Sequence, residues 1–540
     1  MPRAPSRTPS VSLAILFCTS LFGQSILTDG LPSAAQPGYS AISQDKLREH
    51  LNFLAGEAPQ GRGNGQPGLK IAADYLADHY RQIGLATLDK DSSYFQIYEL
   101  KEARVLYAGL AIEIDLGQGA SLIDAYHDNI DFALNARGLT TDRTLSAEVV
   151  FVGYGITAPE YGYDDYRGFK VTGKVVLALQ GEPRREGDAD FFNGLDRSTR
   201  HSFSRTKAAV ASENGALALL LIPDPRDPDA FREGLRNISR FAGRKFMVLP
   251  GFSSAALPVY FIRPAIAERL MAGSRKSLEE AISTLEKQGR PHSFALRKAR
   301  VRLAYELEVV SHGLQNVVAL LPGSDPLLKD EYVVISAHYD HEGIKDDGVI
   351  YYGADDNGSG TSALLEIARA FTANSQRPRR SVLFLHISGE ERGLLGSRYF
   401  AEYPLVPRSS IIANLNIDMV GRNDPDSIYV IGTNMLSWDL HWAGEAAAAL
   451  VPDLHLSYKY NNRDDPNRFY YRSDHYNFAR FNIPVTFYFA GVHEDYHRPT
   501  DTPDKINYAK LRKVARLVYL TAWDSANRDE RYSLDGLLTE

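Results

Sequence analysis

Five short stretches in the C-terminal half of the chain combine residue types that hold metal ions. They are His338-Tyr339-Asp340, Gly353-Ala354-Asp355-Asp356-Asn357-Gly358-Ser359-Gly360, Ser388-Gly389-Glu390-Glu391-Arg392-Gly393, Asn416-Ile417-Asp418-Met419-Val420-Gly421, and a histidine pair in His493-Glu494-Asp495-Tyr496-His497. Imidazole and carboxylate ligands without sulfur suit zinc, or less selectively manganese or cobalt, and one carboxylate can bridge two ions about 3.5–4 Å apart. Hydrolysis at such a centre needs one carboxylate on the metal and another beside the attacking water, and the neighbours Glu390 and Glu391 offer both.

Taken singly, each stretch has an ordinary explanation. A His-x-Asp pair can be a satisfied surface or core contact. The acidic turn opens a helix near Thr361, where aspartates cap free N–H groups and complement the helix dipole. Glu390 and Glu391 can be solvated loop charges, and two histidines four apart in a loop are unspecific. Asp418 is harder to dismiss, since it ends an apolar run and an unpaired buried charge is costly.

Their shared position gives the five stretches weight. Residues 316–321, 332–337, 382–387, 411–418, 427–431 and 484–489 read as buried strands, and 360–373, 394–402, 436–450, 474–480 and 508–526 read as helices between them. This rhythm predicts an α/β fold with a mainly parallel sheet and helices on both faces. Open sheets of that kind build their sites at the carboxyl ends of the strands, where all five stretches fall. Alternate residues of a strand face the same way, so Asp340 is positioned to hold the ring of His338 in one tautomer.

Upstream, apolar residues at helical spacing predict two helices within 44–88, separated by Gly61-Arg62-Gly63-Asn64-Gly65, which is too rich in glycine to be helical. From about 147 to 263 the pattern changes to short β-rich runs interrupted by one helix over 207–214, as expected of a separate module. The chain has 540 residues with 44% hydrophobic and 24% charged, an ordinary globular composition too long for one core. A formal net charge of -7 gives no reason to expect nucleic acid or an anionic membrane surface as partner.

The beginning of the chain reads as a secretory leader, with Arg3 and Arg7, an apolar run over 11–22, and the small residues Ser33, Ala34 and Ala35. That run is too short for the roughly twenty residues a membrane helix needs. The expectation is therefore an exported protein, periplasmic or extracellular, without a membrane helix. Cys18 is the single cysteine and follows Phe17, where a lipid-anchored leader requires a small residue, so a mature chain has neither disulfides nor thiolate ligands. The expected organisation is a leader over 1–35, the first part of a catalytic domain over 36–140, an inserted β-rich domain over 141–305 and the remainder of the catalytic domain over 306–540.

The segments Ala337-His338-Tyr339-Asp340-His341, Gly353 to Gly360, Gly389-Glu390-Glu391, Asn416-Ile417-Asp418-Met419 and Tyr496-His497 together resemble the co-catalytic di-zinc exopeptidases of clan MH, which include secreted bacterial leucine aminopeptidases. Phe151-Val152-Gly153-Tyr154-Gly155-Ile156 and Gly173-Lys174-Val175-Val176 resemble a protease-associated domain. The likeness implies the zinc-exopeptidase, phosphorylase/hydrolase-like fold and two zinc ions per chain. It implies Asp356 as the carboxylate bridging both ions, with Asp355 as its rival, His338 and Asp418 on one ion, and Glu391 and His497 on the other. Glu390 is implied as general base, acting on a hydroxide that bridges the metals, with Asp340 behind His338 and the Tyr496 hydroxyl near the oxyanion. Ser473-Asp474-His475 resembles a segment near the substrate pocket, although a helix cap on Ser473 with a solvated His475 explains it equally well. His341 and His493 are read either as lining the cleft or as ordinary loop histidines.

The resemblance implies peptide or protein substrates cut at their N-termini. A carboxypeptidase or dipeptidase on the same centre is the alternative; it requires a cation to hold a free carboxylate, for which Arg463, Arg468 and Arg472 are available. A non-catalytic binding protein is disfavoured because every implied ligand position holds a metal-binding residue type.

Overall fold

The computed structural model describes residues 25–88, 93–118, 120–184, 191–193, 199–223, 229–241, 245–251, 257–272, 274, 276–463 and 465–536. The apolar run and both arginines of the expected leader lie outside these residues. Residues 25–35 lie inside them and are held at several points. Ser25 Oγ and the Ile26 N–H donate to Asp524 Oδ1 at 2.7 and 2.8 Å, and Leu27 and Ala35 are buried. Among the described residues no helix is long and apolar enough to cross a membrane.

Two compact units make up the chain, one formed by residues 1–96 with 316–540 and the other by residues 97–315. The first contains helices α1 (Gln36–Ala41), α2 (Gln44–Leu54) and α3 (Pro67–Gln82), followed in the C-terminal half by α4 (Gly360–Ala373), α5 (Leu395–Glu402), α6 (Trp438–Ala448), α7 (His475–Ala479) and α8 (Tyr508–Asn527). Its strands are the end of β1 (Ser293–Leu321), then β2 (Tyr332–His338), β3 (Ser381–Ile387), β4 (Ile411–Ile417), β5 (Ser427–Ile431), β6 (His455–Ser457) and β7 (Val485–Phe489). The sequence marks the helix ends by familiar means: Ser43 caps α2 by accepting from the Lys46 N–H, Pro67 opens α3, and Asn507 caps α8.

The strand order is β6-β5-β7-β4-β2-β3-β1. The four strands β7, β4, β2 and β3 run parallel side by side, while β1 pairs antiparallel with β3 and β5 antiparallel with β7. This is the mainly parallel mixed sheet flanked by helices that the residue pattern predicts. The strands are buried along their length, as unbroken Val, Ile, Leu and Phe runs require of a sheet covered on both faces. α4 packs against α1, α2 and α8, and α5 packs against α7.

The second unit is also built around hydrogen-bonded strands. The strands Arg143–Val152, Val175–Leu179, Ala218–Ile222 and Val259–Ile262 are neighbours in parallel, with Phe132–Asn135 antiparallel on Val259–Ile262. Phe95–Gly117 forms an antiparallel pair with Ala120–Tyr126 and another with Lys245–Val248. These pairings draw residues 97–140 into the second unit, so the compact boundary falls at 96/97 instead of the expected 140/141. A second departure is the helix Ala230–Phe241 inside the stretch expected to hold one helix. Its apolar residues Phe231, Leu235, Ile238 and Phe241 have helical spacing, which Gly234 and three interspersed arginines obscure.

Beneath the sheet of the first unit lies a histidine cluster, His50 and His386 buried and His79 partly so, that joins none of the candidate metal-ligand groups among the described residues. The Tyr80 hydroxyl and His386 Nε2 are 2.7 Å apart, His50 Nδ1 lies 2.7 Å from the Tyr75 hydroxyl, and His50 and His79 meet edge to face at 4.7 Å. Burial pulls His79 down to about 4 and His386 well below the usual histidine range. Both are neutral when folded near pH 7 and bind protons more readily when unfolded. Stability from this source is therefore present above about pH 6.5 and is lost as pH falls toward 4. The urea midpoint is expected to drop over that interval, and to drop less in His386→Gln, which removes one of the groups responsible.

Candidate metal centre

The pairing of β2 with β4 sets Ser336 opposite Asn416. Two residues further along, His338 and Asp418 reach the carboxyl edge at the same level, and His338 Nε2 lies 3.2 Å from Asp418 Oδ1. On the other side of β2, its pairing with β3 sets His338 opposite Ile387, so that Ser388-Gly389-Glu390-Glu391 turns over the same edge. β7, beside β4, delivers the loop that ends in His497. The turn from Ala354 to Ser359, which opens α4, closes the ring with Asp355 and Asp356.

The two oxygens of Asp356 face different partners. Oδ1 is 3.4 Å from His338 Nε2, and Oδ2 is 3.1 Å from His497 Nε2. Glu391 Oε2 is also 3.1 Å from His497 Nε2. One set of close ligand atoms thus comes from His338, Asp356 and Asp418, and further sets join Glu391 to His341 and Asp356 or to Glu342 and His497. The structure brings His338, Asp356, Glu391, Asp418 and His497 together around Asp356, with Glu390 Oε2 4.0 Å from His338 Nε2.

Asp355, the rival for the bridging position, points elsewhere. Its Oδ1 accepts the Gly421 N–H at 2.7 Å and its Oδ2 lies 3.3 Å from His493 Nε2. Asp501 supports the turn from below, accepting the N–H groups of Asp355 at 2.9 Å and Asp356 at 3.2 Å. The role expected of the Asp340 carboxylate is filled differently: the nearest oxygen to His338 Nδ1 is the Asp340 carbonyl at 3.1 Å, with the carboxylate at 3.7 Å. That carboxylate instead accepts the N–H groups of Glu390 and Glu391, each at 3.2 Å.

Tyr496 stacks on the ring of His497 with centroids 3.9 Å apart, at the mouth of a cleft lined also by Asp356, Glu390, Glu391, Asp418 and Arg472. Asp474 is fully buried, and burial raises its carboxyl to about 7. His475 is buried too and stacks on Phe487 at 4.7 Å, so the structure does not leave it solvated and it joins none of the ligand groups among the described residues. Ser473 does more than begin a helix. Its hydroxyl donates to Asp418 Oδ2 at 2.7 Å and accepts from Asn416 Nδ2 at 2.8 Å, while Asn416 Oδ1 accepts from Ser336.

Sequence reasoning missed Glu342, Asp501, Arg62 and Asn64. Glu342 and His341 follow His338-Tyr339-Asp340 directly, and His341 Nδ1 lies 2.8 Å from Glu391 Oε1. Their only signal is adjacency to a recognised segment. Asp501 follows the ligand His497 by four residues, but nothing in that spacing shows that it turns back to the N–H groups of Asp355 and Asp356. The Arg62 loop lies far from every ligand in sequence.

The electrostatics fit a bound cation. Burial pushes Glu390 well above the usual carboxylate range, and burial likewise raises Asp418. Burial pulls His497 down, yet Glu391 and Asp356 together raise it to about 11. His497 Nε2 is buried and has no hydrogen-bond partner among the described residues, although two carboxylates lie 3.1 Å away. Such an atom is a free ligand, and the carboxylates around it call for compensating positive charge.

The chain is similar to several known proteins. Residues 316–522 match the family model of Peptidase family M28. A protein of Arthroderma otae named "Probable leucine aminopeptidase" is 29% identical over 220 residues, covering 39% of this chain and 57% of that one. An Arabidopsis thaliana protein named "Probable glutamate carboxypeptidase AMP1" is 24% identical over 461 residues, covering 77% of this chain and 59% of that one. The chain thus spans less than two thirds of the length of these relatives. The aminopeptidase from Aneurinibacillus sp. strain AM-1 shares the fold, with a TM-score of 0.53 at 19% identity over 94% of this chain and 98% of that one.

Removing the Ser473 hydroxyl leaves Asp418 Oδ2 and Asn416 Nδ2 without their partner. Ser473→Ala is expected to cost about 1–3 kcal/mol of stability and to weaken metal binding by roughly 10–100-fold. Urea unfolding and titration against a metal-buffering chelator measure the two effects separately.

Proposed function

With residues 316–522 matching the family model of Peptidase family M28, we propose that the chain is a zinc-dependent exopeptidase that removes residues from the N-termini of peptides. The observation that carries this reading is the convergence of His338, Asp356, Glu391, Asp418 and His497, with Glu390 beside them. His338 and Asp418 would hold one zinc, Glu391 and His497 a second, and Asp356 both. Bound zinc supplies a water acidified to near neutrality and polarises the scissile carbonyl.

Glu390 acts as general base. Its carboxylate sits at the cleft wall, linked to no ligand strand by a hydrogen bond of its own side chain among the described residues, and the Asp340 carboxylate anchors its backbone N–H. It takes the proton of the attacking water and passes it to the departing amine. Tyr496 lines the same cleft, and its hydroxyl would donate to the developing oxyanion. The export leader supports a periplasmic or extracellular location, and the second unit is read as a protease-associated module.

A second reading rests on Arg472. This side chain lines the cleft with Met419, Phe469, Phe487, Phe489 and Val492, and its guanidinium stands 5.0 Å from the ring of Phe469. It forms no ion pair among the described residues, and an unpaired guanidinium beside a hydrolytic centre is suited to a substrate carboxylate. That favours a carboxypeptidase or dipeptidase.

Glu390→Gln is expected to retain zinc, measured by elemental analysis, while kcat falls by about 10²–10⁴-fold. Wild-type turnover in a zinc-replete Glu390→Gln variant excludes this residue as the base. Peptides with free and blocked N-termini, with and without chelator, separate the readings: chelator-sensitive cleavage restricted to free N-termini supports the aminopeptidase. Trimming of N-blocked peptides from a free C-terminus, lost in Arg472→Met, supports the alternative.

A further inference from the structure

The loop Gly61-Arg62-Gly63-Asn64-Gly65, between α2 and α3, lies more than two hundred and fifty residues before the first ligand, yet the fold brings it beneath the metal-binding edge. Arg62 is completely buried. Its guanidinium donates to four carbonyl oxygens, Nε to Tyr339 at 2.7 Å, Nη1 to Leu54 at 2.6 Å and Tyr352 at 2.7 Å, and Nη2 to Gly353 at 2.7 Å. Tyr339 follows the ligand His338, and Gly353 opens the turn that carries Asp356. One planar cation therefore ties together the two segments that supply ligands to both halves of the centre, a task that a fork of fixed donors performs and a point charge does not.

Asn64 reaches the other side. Its Nδ2 donates to Asp340 Oδ2 at 2.5 Å, the same carboxylate that receives the backbone N–H groups of Glu390 and Glu391. Backbone pairing locks the loop in place: the His341 N–H donates to the Arg62 carbonyl at 3.2 Å, and the side chain of Gln66 pairs with both the N–H and the carbonyl of Ile344 at 2.8 Å. Gly61 and Gly63 are required by this approach, because a Cβ on either would run into the backbone of Tyr351 or Gly343. Arg62 itself takes a left-handed conformation, at φ 54°, which places its side chain inward.

The buried charge also has a local justification. Burial pulls the Arg62 guanidinium down to about 10, while Asp356, Asp340, Asp501 and Glu391 push the other way, so it stays charged at neutral pH. It is a fixed cation set among the acids that must later share a metal.

We propose that Arg62 and Asn64 are positioning residues of the metal centre: Arg62 fixes the His338 and Asp356 segments relative to each other, and Asn64 fixes Asp340 and through it Glu390 and Glu391. Neither touches the reacting atoms. The inference rests on the metal-centre reading above and extends it to a segment outside the family match, which begins at residue 316.

The test uses the full chain and zinc alone. Asn64→Asp keeps the size and shape of the side chain but turns a donor into an acceptor against Asp340; Asn64→Ala removes it. Zinc affinity is read by competition with a chelator, without substrate, alongside the melting temperature of the metal-stripped protein and kcat and KM of the zinc-loaded form. Both variants are expected to lose about 10–100-fold in zinc affinity, with kcat reduced and KM little changed. Asn64→Asp should be the weaker binder of the two. Arg62→Lys, which keeps the charge and loses the fork, should likewise bind zinc more weakly. Since Arg62 variants can fail to fold, the Asn64 variants decide the outcome. Wild-type zinc affinity and kcat in Asn64→Asp, or a shift in melting temperature alone, overturns the proposal. Because affinity is measured without substrate, a wild-type chain that binds zinc but cleaves no peptide refutes the aminopeptidase reading and leaves this inference to be judged on the variants.

Discussion

Carboxylates gathered where little water reaches them repel one another, and this structure gathers several around Asp356 at the carboxyl edge of one sheet. The cost of that arrangement is acceptable only if positive charge stands among the acids. Without metal, His497, raised by Glu391 and Asp356, and His338, close to Asp418, supply part of it, a charge that each gives up when its nitrogen takes a metal. Arg62 supplies another part from below. The remainder is left for metal, whose binding by such ligands stabilises the folded chain as well as enabling chemistry.

The sheet explains why the ligands arrive together. Four neighbouring parallel strands, β7, β4, β2 and β3, end on the same side, so each contributes one loop without any long-range search. Register does the fine alignment. A polar path through the apolar interior, from Asn414 and Ser336 to Asn416, Ser473 and Asp418, then fixes the one ligand that a strand end alone would leave free to rotate.

Much of this was legible in the residues. Apolar runs bounded by glycine and acidic turns marked strands and helices of the first unit, because a sheet covered on both faces must be built from unbroken hydrophobic segments. The ligand types were visible because each stands where such a run stops. Support for the ligands was not legible. Asp501 and Asn64 act through hydrogen bonds to partners far away in sequence, Asp501 on the N–H groups of Asp355 and Asp356 and Asn64 on the Asp340 carboxylate, and no local pattern encodes those. The choice between Asp355 and Asp356 was likewise a matter of backbone direction: one side chain turns to His493 and the other into the centre. The boundary of the second unit was misplaced because strand pairing, which assigns 97–140 to it, depends on partners near residues 245 and 259.

The first unit is discontinuous, with residues 97–315 standing between Asn64 and Asp340. A chain emerging from the ribosome therefore offers the Arg62 loop long before anything it can hold, whereas all of the intervening unit is available to fold as soon as it has appeared. His497 and helix α8 come last, so a translating or translocating chain has no finished ion-binding cage until almost its whole length is out.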